Sequence, residues 1–223
     1  MTAGKEPRPG LPRGVEVVLS AAGLLVASPI LLFSAAAIAL TSKGPVLFRQ
    51  QRVGRGGELF TLVKFRTMRP SKGLSVTARD DPRITGIGRL LRRTKLDELP
   101  ELWNVLRGDL SLVGPRPEVP DYVDRESPDW REILRVRPGI TDPVTLRLRD
   151  EESLMASVTG DRNRYYREVL QPRKLQGYRD YLSRRTWRTD ARVLLETGIA
   201  VVCPPLARKL QSPWGVPERP ADS

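Results

Sequence analysis

The chain has 223 residues, of which 39% are hydrophobic and 29% charged, and its formal net charge at pH 7 is +12. This balance is typical of a globular protein, and the positive charge favours a polyanionic partner, such as a phosphorylated small molecule, an anionic membrane or nucleic acid. The sequence has no histidine and one cysteine. These absences exclude histidine-dependent catalytic triads, metal sites built from histidine or cysteine clusters, and intrachain disulfides. Any metal must therefore be held by oxygen atoms, for which Mg²⁺ is the first expectation.

The first predicted element is a membrane helix. Residues 17–40 carry no charged side chain, and as one helix they would be about 36 Å long, enough to cross a bilayer. Pro29, preceded by Ser28, predicts a kink within this run. Basic residues flank both ends, so a re-entrant helix that enters and leaves through the cytoplasmic face fits the positive-inside rule better than a spanning anchor. A spanning helix and a cleaved signal peptide are the alternatives.

This segment sets the predicted domain organisation. Residues 1–14 form an N-terminal tail, 15–42 the membrane element, 43–211 one folded domain, and 212–223 a Pro-rich, disordered tail.

The folded domain is predicted to be mixed α/β and rich in helices. Residues 46–51 and 58–65 predict an antiparallel β-hairpin around a glycine-rich turn. A short basic helix is expected at residues 86–93. Thr94 is the predicted N-cap of the next helix, which Gly108 ends.

The second half of the domain is predicted to be mostly helical. Three prolines and a glycine predict a rigid loop at residues 111–120. Residues 144–149 predict a strand. Helical patterns cover residues 121–136, 151–158, 161–182 and 188–202. The last of these is apolar enough to lie on a membrane surface.

The candidate chemistry is concentrated in residues 94–118, TKLDELPELWNVLRGDLSLVGPRPE. Asp97 and Glu98 would lie in the first turn of a helix, where the helix dipole keeps carboxylates ionised and also attracts phosphate. Arg92 precedes them, and Arg116 lies between two prolines, which suits bidentate contacts to phosphate. The alternative is that the two acids only cap a helix and pair with neighbouring arginines.

These motifs resemble the bacterial sugar transferase family, the monotopic phosphoglycosyl transferases that initiate lipid-linked glycan assembly. The resemblance covers residues 20–141 and is carried by the Ser-Pro apolar run, GPVLFRQQRVG, LVKFRTM, DPRITGIGRLLRRTKLDELPELWNVLRGDLSLVGPRP and RVRPGIT. It implies that residues 43–211 are a catalytic domain. That domain would move a sugar 1-phosphate from a UDP-sugar to polyprenyl (undecaprenyl) phosphate, with release of UMP.

The resemblance also implies roles for particular residues. Asp97 would be the nucleophile that forms a covalent phosphosugar intermediate, and Asp97 and Glu98 would both lie at a Mg²⁺ ion. The implied substrate-binding residues are Lys64, Arg66, Arg92, Arg116, Pro117 and Arg137. A carboxylate nucleophile needs no histidine, which agrees with the composition.

The implied location is the cytoplasmic face of the bacterial inner membrane, with anionic lipid, the UDP-sugar and polyprenyl phosphate as partners. No nucleic acid is expected, and a homo-oligomer is left open. The product would enter exopolysaccharide, O-antigen or glycoprotein glycan synthesis.

Two positions depart from the family pattern. Asp142-Pro143-Val144 follows Thr141, where many members have Gly and then Gln, and Tyr178 stands where many carry an aspartate. Asp142 or Asp180 could take the role of that acid.

Two rival functions are a membrane-tethered nucleic-acid binder and a non-catalytic scaffold. The chain has no RNP, zinc-finger or helix-turn-helix pattern, which argues against the first. The intact set of predicted site residues argues against the second.

Overall fold

We describe residues 8–69, 78, 80–148 and 151–203 of a computed structural model of the chain. The predicted tail 212–223 lies outside these residues. Within the described part, helices predominate and the strands form two small two-stranded sheets. This confirms the predicted mixed α/β class.

Helix α1 spans Arg13–Thr41 and, by length and composition, is the helix among the described residues that could cross a membrane. Its 29 residues continue through Pro29, a length of about 44 Å. The proline lacks the N–H that would bond the carbonyl of Leu25, four residues earlier, and Ser28 Oγ donates to that carbonyl at 2.8 Å instead. The kink at Ser28-Pro29 and the re-entrant path stay predictions.

Both ends of α1 contact the same folded domain. Near its start, Glu16 is buried and its Oε1 accepts a hydrogen bond from the backbone N–H of Leu112 at 3.0 Å. Near its end, Ile38 is fully buried in a cluster with Phe65 and Leu91. Between these ends, large apolar side chains are exposed, including those of Val18, Leu25, Val26, Leu32 and Phe33. The middle of the helix therefore presents an apolar surface while its ends are anchored.

The predicted hairpin is confirmed. Strands β1 (Leu47–Val53) and β2 (Leu59–Phe65) pair antiparallel, with Leu47 opposite Phe65. The turn between them, Arg55–Gly57, contains two glycines with positive φ, 70° and 82°, a conformation that glycine adopts without steric cost.

Helix α2 spans Gly86–Thr94 and α3 spans Glu101–Arg107. The prediction that Thr94 begins a helix is wrong, because Thr94 is the last residue of α2 and its Oγ1 donates to the Leu90 carbonyl at 2.9 Å. The helix starts later because Lys95 leaves the helical backbone and Pro100 occupies the N-cap of α3. Gly108, with φ 93°, ends α3 as predicted.

The predicted loop 111–120 is wrong in its first residues. Strand β3 (Ser111–Val113) pairs in parallel with β4 (Gly139–Thr141). The following chain comes so close to β4 that a Cβ on Gly139 would lie 2.1 Å from the Gly114 nitrogen. This long-range contact, which no local pattern encodes, forms the small second sheet.

Two further predictions are corrected. Residues 121–136 form not one helix but a 3₁₀ turn, Pro120–Tyr122, and a short helix α4, Pro128–Ile133. The predicted strand 144–149 is wrong, because Pro143–Arg147 form helix α5. Asp142 begins it as an N-cap that accepts hydrogen bonds from the backbone of Val144 and Thr145, at 2.7 and 2.9 Å.

The C-terminal helices agree with the predictions. They are α6 (Glu151–Ser157), α7 (Arg162–Tyr165), a π-helical turn (Tyr166–Leu170), α8 (Gln171–Arg184) and α9 (Trp187–Val202). The apolar faces of α8 and α9 join α3, β3 and α4 in the main core, which includes Val105, Val113, Trp130, Tyr178 and Val193. The buried residues of α6 and the π-helical turn lie in a second cluster. The main core holds the turn between α2 and α3 against the loop that follows β3.

Candidate active site

The acidic pair lies in the turn between α2 and α3. Lys95 adopts a left-handed backbone with φ 59°, and Leu96–Glu98 follow as one turn of 3₁₀ helix. This reversal directs Asp97 inward, where it is 5% exposed. Its Oδ1 is buried and has no hydrogen-bond partner among the residues that the structure describes. Because an unpartnered buried polar atom costs about 1–3 kcal/mol, this oxygen is one that a ligand could stabilise.

Glu98 and Arg116 form an ion pair through both carboxylate oxygens. Arg116 Nη1 lies 3.4 Å from Oε2, and Nη2 makes a shorter contact with Oε1. The same Nη1 donates to the Ile140 carbonyl in β4 at 3.2 Å. Burial favours the neutral acid of Glu98, but the charges of Arg116 and Lys95 outweigh this and hold its pKa at about 2. Glu98 is therefore ionised at neutral pH and fixed in place.

Lys64, on β2, supplies positive charge beside Asp97. Burial lowers the pKa of Lys64, and the negative charge of Asp97 is the largest influence that opposes this. The pKa of Asp97 is raised by burial and by the negative charge of Glu98, while Lys64 and Lys95 act in the opposite direction. The protonation states of these groups are thus linked.

Glu101 is a third acid in this cluster, and it is absent from the predicted site residues. It is 1% exposed, and its Oε1 has no hydrogen-bond partner among the described residues. Burial and the charge of Glu98 raise its pKa to about 8. Its position, four residues after Asp97, is the signal that could have revealed it, because residues at this spacing share a helix face.

Arg52 on β1 was also missed. Its Nη1 donates to the Pro117 carbonyl at 2.9 Å, so it fixes the loop that presents Arg116. Burial lowers the pKa of Arg52, and the charge of Glu118, 4.0 Å away, opposes that change. Pro117 itself is buried.

Two other predicted residues, Arg92 and Arg66, have partners outside this cluster. Arg92 Nη1 donates to Thr67 Oγ1 at 3.3 Å, and its Nη2 pairs with Glu152. Arg66 is buried and its Nη2 donates to the Ser42 carbonyl at 2.7 Å, directly after α1. The Nε and Nη1 atoms of Arg66 have no partner among the described residues.

Arg137 lies at the far end of α3. Its Nε donates to the Gly108 carbonyl at 3.0 Å, where α3 ends. Glu98 precedes the start of that helix, ten residues before Gly108. The structure thus brings Asp97, Glu98, Lys64 and Arg116 into one cluster, with Arg137 attached to the opposite end of the helix.

Residues 9–204 match the bacterial sugar transferase family. The chain belongs to this family. It is 37% identical to the UDP-glucose:undecaprenyl-phosphate glucose-1-phosphate transferase of Caulobacter vibrioides, over 83% of this chain and 67% of that protein. It is 41% identical to the UDP-N-acetylgalactosamine-undecaprenyl-phosphate N-acetylgalactosaminephosphotransferase of Aeromonas hydrophila, over 58% of this chain and 32% of that protein.

A third relative is the undecaprenyl-phosphate galactose phosphotransferase of Salmonella typhimurium, 39% identical over 59% of this chain and 31% of that protein. The chain therefore spans two thirds of the first relative and about a third of the other two. The named sugars differ among these relatives.

This sugar transferase departs from the family pattern at two positions, and the side chain at one of them has fixed hydrogen-bond partners. Asp142 Oδ1 accepts from the backbone of Val144 and Thr145, and Oδ2 accepts from Thr145 Oγ1. These contacts explain Asp142 as a helix cap. Tyr178 is 1% exposed, and its hydroxyl is buried without a partner among the described residues. Asp180 is half-buried on the same helix, α8.

A second buried polar cluster adjoins the loop of this sugar transferase that follows Arg116. Lys174 Nζ lies 3.3 Å from Glu118 and 3.4 Å from Glu151, and Tyr166 donates its hydroxyl proton to Glu118. The charges of Lys174 and Arg52 hold the pKa of Glu118 below its usual value, although burial opposes them. Because every member has a partner, this cluster is explained as a support for the loop.

The carboxylate oxygens of this site suit a metal ion that is also coordinated by the substrate. Among the described residues, no group of three or more Cys, Asp or Glu side chains could enclose a metal ion. Mg²⁺, however, commonly takes one or two protein carboxylates and completes its coordination with phosphate oxygens and water. The unpartnered Oδ1 of Asp97 meets that requirement, whereas both oxygens of Glu98 already contact Arg116.

Proposed function

We propose that this chain transfers a sugar 1-phosphate from a UDP-sugar to undecaprenyl phosphate and releases UMP, as the first step of lipid-linked glycan assembly. The observation that carries the proposal is the buried, unpartnered Oδ1 of Asp97 next to Lys64 and the Glu98–Arg116 pair. The names of the relatives support the reaction class. They name different sugars, so the sugar is left to experiment.

In the proposed first step, an oxygen of Asp97 attacks the phosphorus on the sugar side of the diphosphate. The bond between that phosphorus and the bridging oxygen breaks, and UMP leaves with the electron pair. The product is an acyl phosphate that carries the sugar on Asp97, a form of nucleophilic catalysis open to a carboxylate. An oxygen of undecaprenyl phosphate then attacks the same phosphorus and regenerates the Asp97 carboxylate.

The neighbouring charges are assigned to the phosphates. Lys64 and Arg116 offset the negative charge that develops as the diphosphate is cleaved. Arg116 can do so because Glu98 and the Ile140 carbonyl hold its guanidinium in place. Arg66, Arg92, Pro117 and Arg137 are proposed to surround the nucleotide and phosphates.

Asp97 would hold Mg²⁺ through its unpartnered Oδ1 together with the donor's phosphates, and Glu98 would add a lone pair that its contacts with Arg116 leave free. When bound, this ion supplies charge neutralisation at the diphosphate oxygens. Burial and the charge of Glu98 raise the pKa of Asp97. A cation bound nearby would lower this pKa again and so favour the ionised carboxylate that the attack requires.

The proposed membrane arrangement is based on the contacts of α1. Glu16 and Ile38 anchor the two ends of α1 to the same folded domain, and one domain lies on one side of a bilayer. We therefore propose that α1 dips into the inner membrane and returns, with the catalytic domain on the cytoplasmic face. There a soluble UDP-sugar and a lipid acceptor can meet at Asp97, and the basic flanks face anionic lipid.

The test is UMP release from a panel of UDP-sugars, with undecaprenyl phosphate and Mg²⁺, by protein in nanodiscs. We expect release with one or a few donors, and a loss of at least about 10³-fold with Asp97→Asn. Asp129→Asn, an exposed acid paired with Arg179, is the matched control and should keep full activity.

A second measurement tests the intermediate. Wild-type protein incubated with the active donor but without acceptor should gain the mass of one phosphosugar, and Asp97→Asn should gain nothing. Release by Asp97→Asn at the wild-type rate would overturn the assignment of the nucleophile. Silence of well-folded wild type across the panel would favour a non-catalytic scaffold.

A further inference from the structure

A cavity of about 410 Å³ lies between the turn of the β1–β2 hairpin and the C-terminal end of α4. Four arginines line it, Arg55, Arg125, Arg131 and Arg135, together with two glycines and a leucine. The lining, all of it within the described residues, includes no carboxylate. Its volume is within the range of pockets that bind small molecules.

The backbone around this arginine cavity is fixed by direct contacts. The Gly56 N–H donates to the Leu134 carbonyl at 2.7 Å, which ties the hairpin turn to the end of α4. Gly57, with φ 82°, has no side chain, and Arg125 lies over it with Nε 3.7 Å from the position that a Cβ would occupy. The arginines therefore converge from two separate segments that the fold holds together.

Two of these four charges have no described carboxylate beside them, and a third has a weak partner. Arg55 and Arg125 form no ion pair with a described residue. Arg131 donates from Nε to the Glu126 carbonyl at 3.1 Å, and the Glu126 carboxylate is 3.8 Å away with its side chain 93% exposed. Because such exposed pairs contribute little, the charge of Arg131 is weakly offset, and Arg55 and Arg125 face the same concave space without an ion-pair partner among the described residues.

We propose that the arginine cavity binds a small phosphorylated anion of the pyrophosphate or phosphate-ester class. A planar guanidinium group can bind two phosphate oxygens at once, and arginines on several sides of a cavity can each make such a paired contact. The site is separate from Asp97: Lys64 follows Gly57 by seven residues, roughly 20 Å along β2. The ligand can come from solution or be a phospholipid headgroup, and the inference does not depend on the proposed function.

The test is calorimetric titration of the full chain, in nanodiscs of zwitterionic lipid and without Mg²⁺, with pyrophosphate as the probe. We expect the double variant Arg55→Ala/Arg125→Ala to lose one class of pyrophosphate site, with affinity weakened by about tenfold or more. Arg164→Ala removes an exposed arginine that pairs with Glu168 on α7 and should bind as wild type does. Thermal unfolding midpoints within a few degrees of wild type would establish that the variants are folded.

The variant Arg55→Lys/Arg125→Lys keeps the charge without the paired donors, and its affinity should fall between those of wild type and the alanine variant. Pyrophosphate binding that is equal in wild type and in both double variants would overturn the proposal.

A repeat in nanodiscs with phosphatidylglycerol identifies the source of the ligand. If the wild-type site remains open to pyrophosphate there, the ligand comes from solution. If anionic lipid removes that site from wild type alone, the ligand is a headgroup. Both results support an anion site in the arginine cavity.

Discussion

Arg116 contacts both carboxylate oxygens of Glu98, although the two residues are 18 positions apart in the chain. Its guanidinium also donates to the Ile140 carbonyl. One side chain thus joins the turn before α3, the loop after β3, and β4. The geometry of the proposed site depends on this pair, because it fixes the direction of a partly buried positive charge at Glu98, the neighbour of Asp97 in the chain.

We expect Arg116→Ala to lower kcat/KM for UMP release by about 10²–10³-fold, because it removes a fixed donor to the phosphates and leaves Glu98 unpaired. Arg116→Lys should lie between this variant and wild type, because it keeps the charge without the paired donors. The measurement is the initial rate with the active UDP-sugar. Arg164→Ala is the control, and an Arg116→Ala rate within twofold of wild type would contradict the role.

Glu101 should make stability depend on pH. Its pKa in the folded protein is about 8, above the ordinary value of 4.5, so between these values the folded state binds more protons than the unfolded state. Stability from this group is fully present below pH 4.5 and is lost as pH rises through 8, by at most about 1.4 kcal/mol per pH unit. The stability of Glu101→Gln relative to wild type should therefore increase as pH rises from 5 to 8.

The measurement for Glu101 is the thermal unfolding midpoint at several pH values in one detergent. Glu126→Gln, at an acid that is 93% exposed, is the control and should follow wild type. A constant difference between wild type and Glu101→Gln across this range would show that the acid is not protonated in the folded protein.

Glu16 should stabilise the attachment of α1. Glu16→Ala removes the acceptor for the buried N–H of Leu112, and we expect a loss of about 1–3 kcal/mol in the free energy of unfolding. Glu16→Gln keeps an oxygen at that position and should lose less. Denaturant unfolding in detergent measures both, with Val18→Ala as a control on an exposed side of α1. Equal stability of Glu16→Ala and Val18→Ala would refute the contact.

Gly139→Ala should disrupt the second sheet and, through it, the site. Its methyl group would meet the backbone of Gly114 at 2.1 Å, so β3 and β4 would have to separate. We expect a loss of stability of about 3 kcal/mol or more, with reduced UMP release because the Ile140 carbonyl shifts away from Arg116. Gly86→Ala, where nothing lies within 4 Å of the new methyl group, is the matched control.

Elements with a strong local signal were predicted correctly. The apolar run of α1, the alternating strands around the glycine-rich turn of β1–β2, the basic helix α2 and the C-terminal helices each follow from nearby residues. The motif around Asp97 and Glu98 also indicates the family by itself. The sequence predicts in general that these acids pair with neighbouring arginines, but it does not identify Arg116 as the partner of Glu98.

The secondary-structure predictions are wrong mainly where contacts between residues far apart in the sequence decide the structure. Residues 111–113 contain no pattern distinct from a loop, and they become a strand only because residues 139–141 lie beside them. Residues 144–149 have a strand-like sequence, but Asp142 caps a helix there. Thr94 ends a helix rather than beginning one, because the left-handed Lys95 follows it.

The sequence by itself determined the family, the long apolar helix and the residue types available for chemistry, because these depend on composition and on motifs that are continuous in the chain. Only the tertiary structure decided which groups meet and how each is charged. Burial and neighbouring charge set the pKa values of Asp97, Glu98 and Glu101, and both act through space. The arginine cavity likewise exists only because the hairpin turn packs against α4.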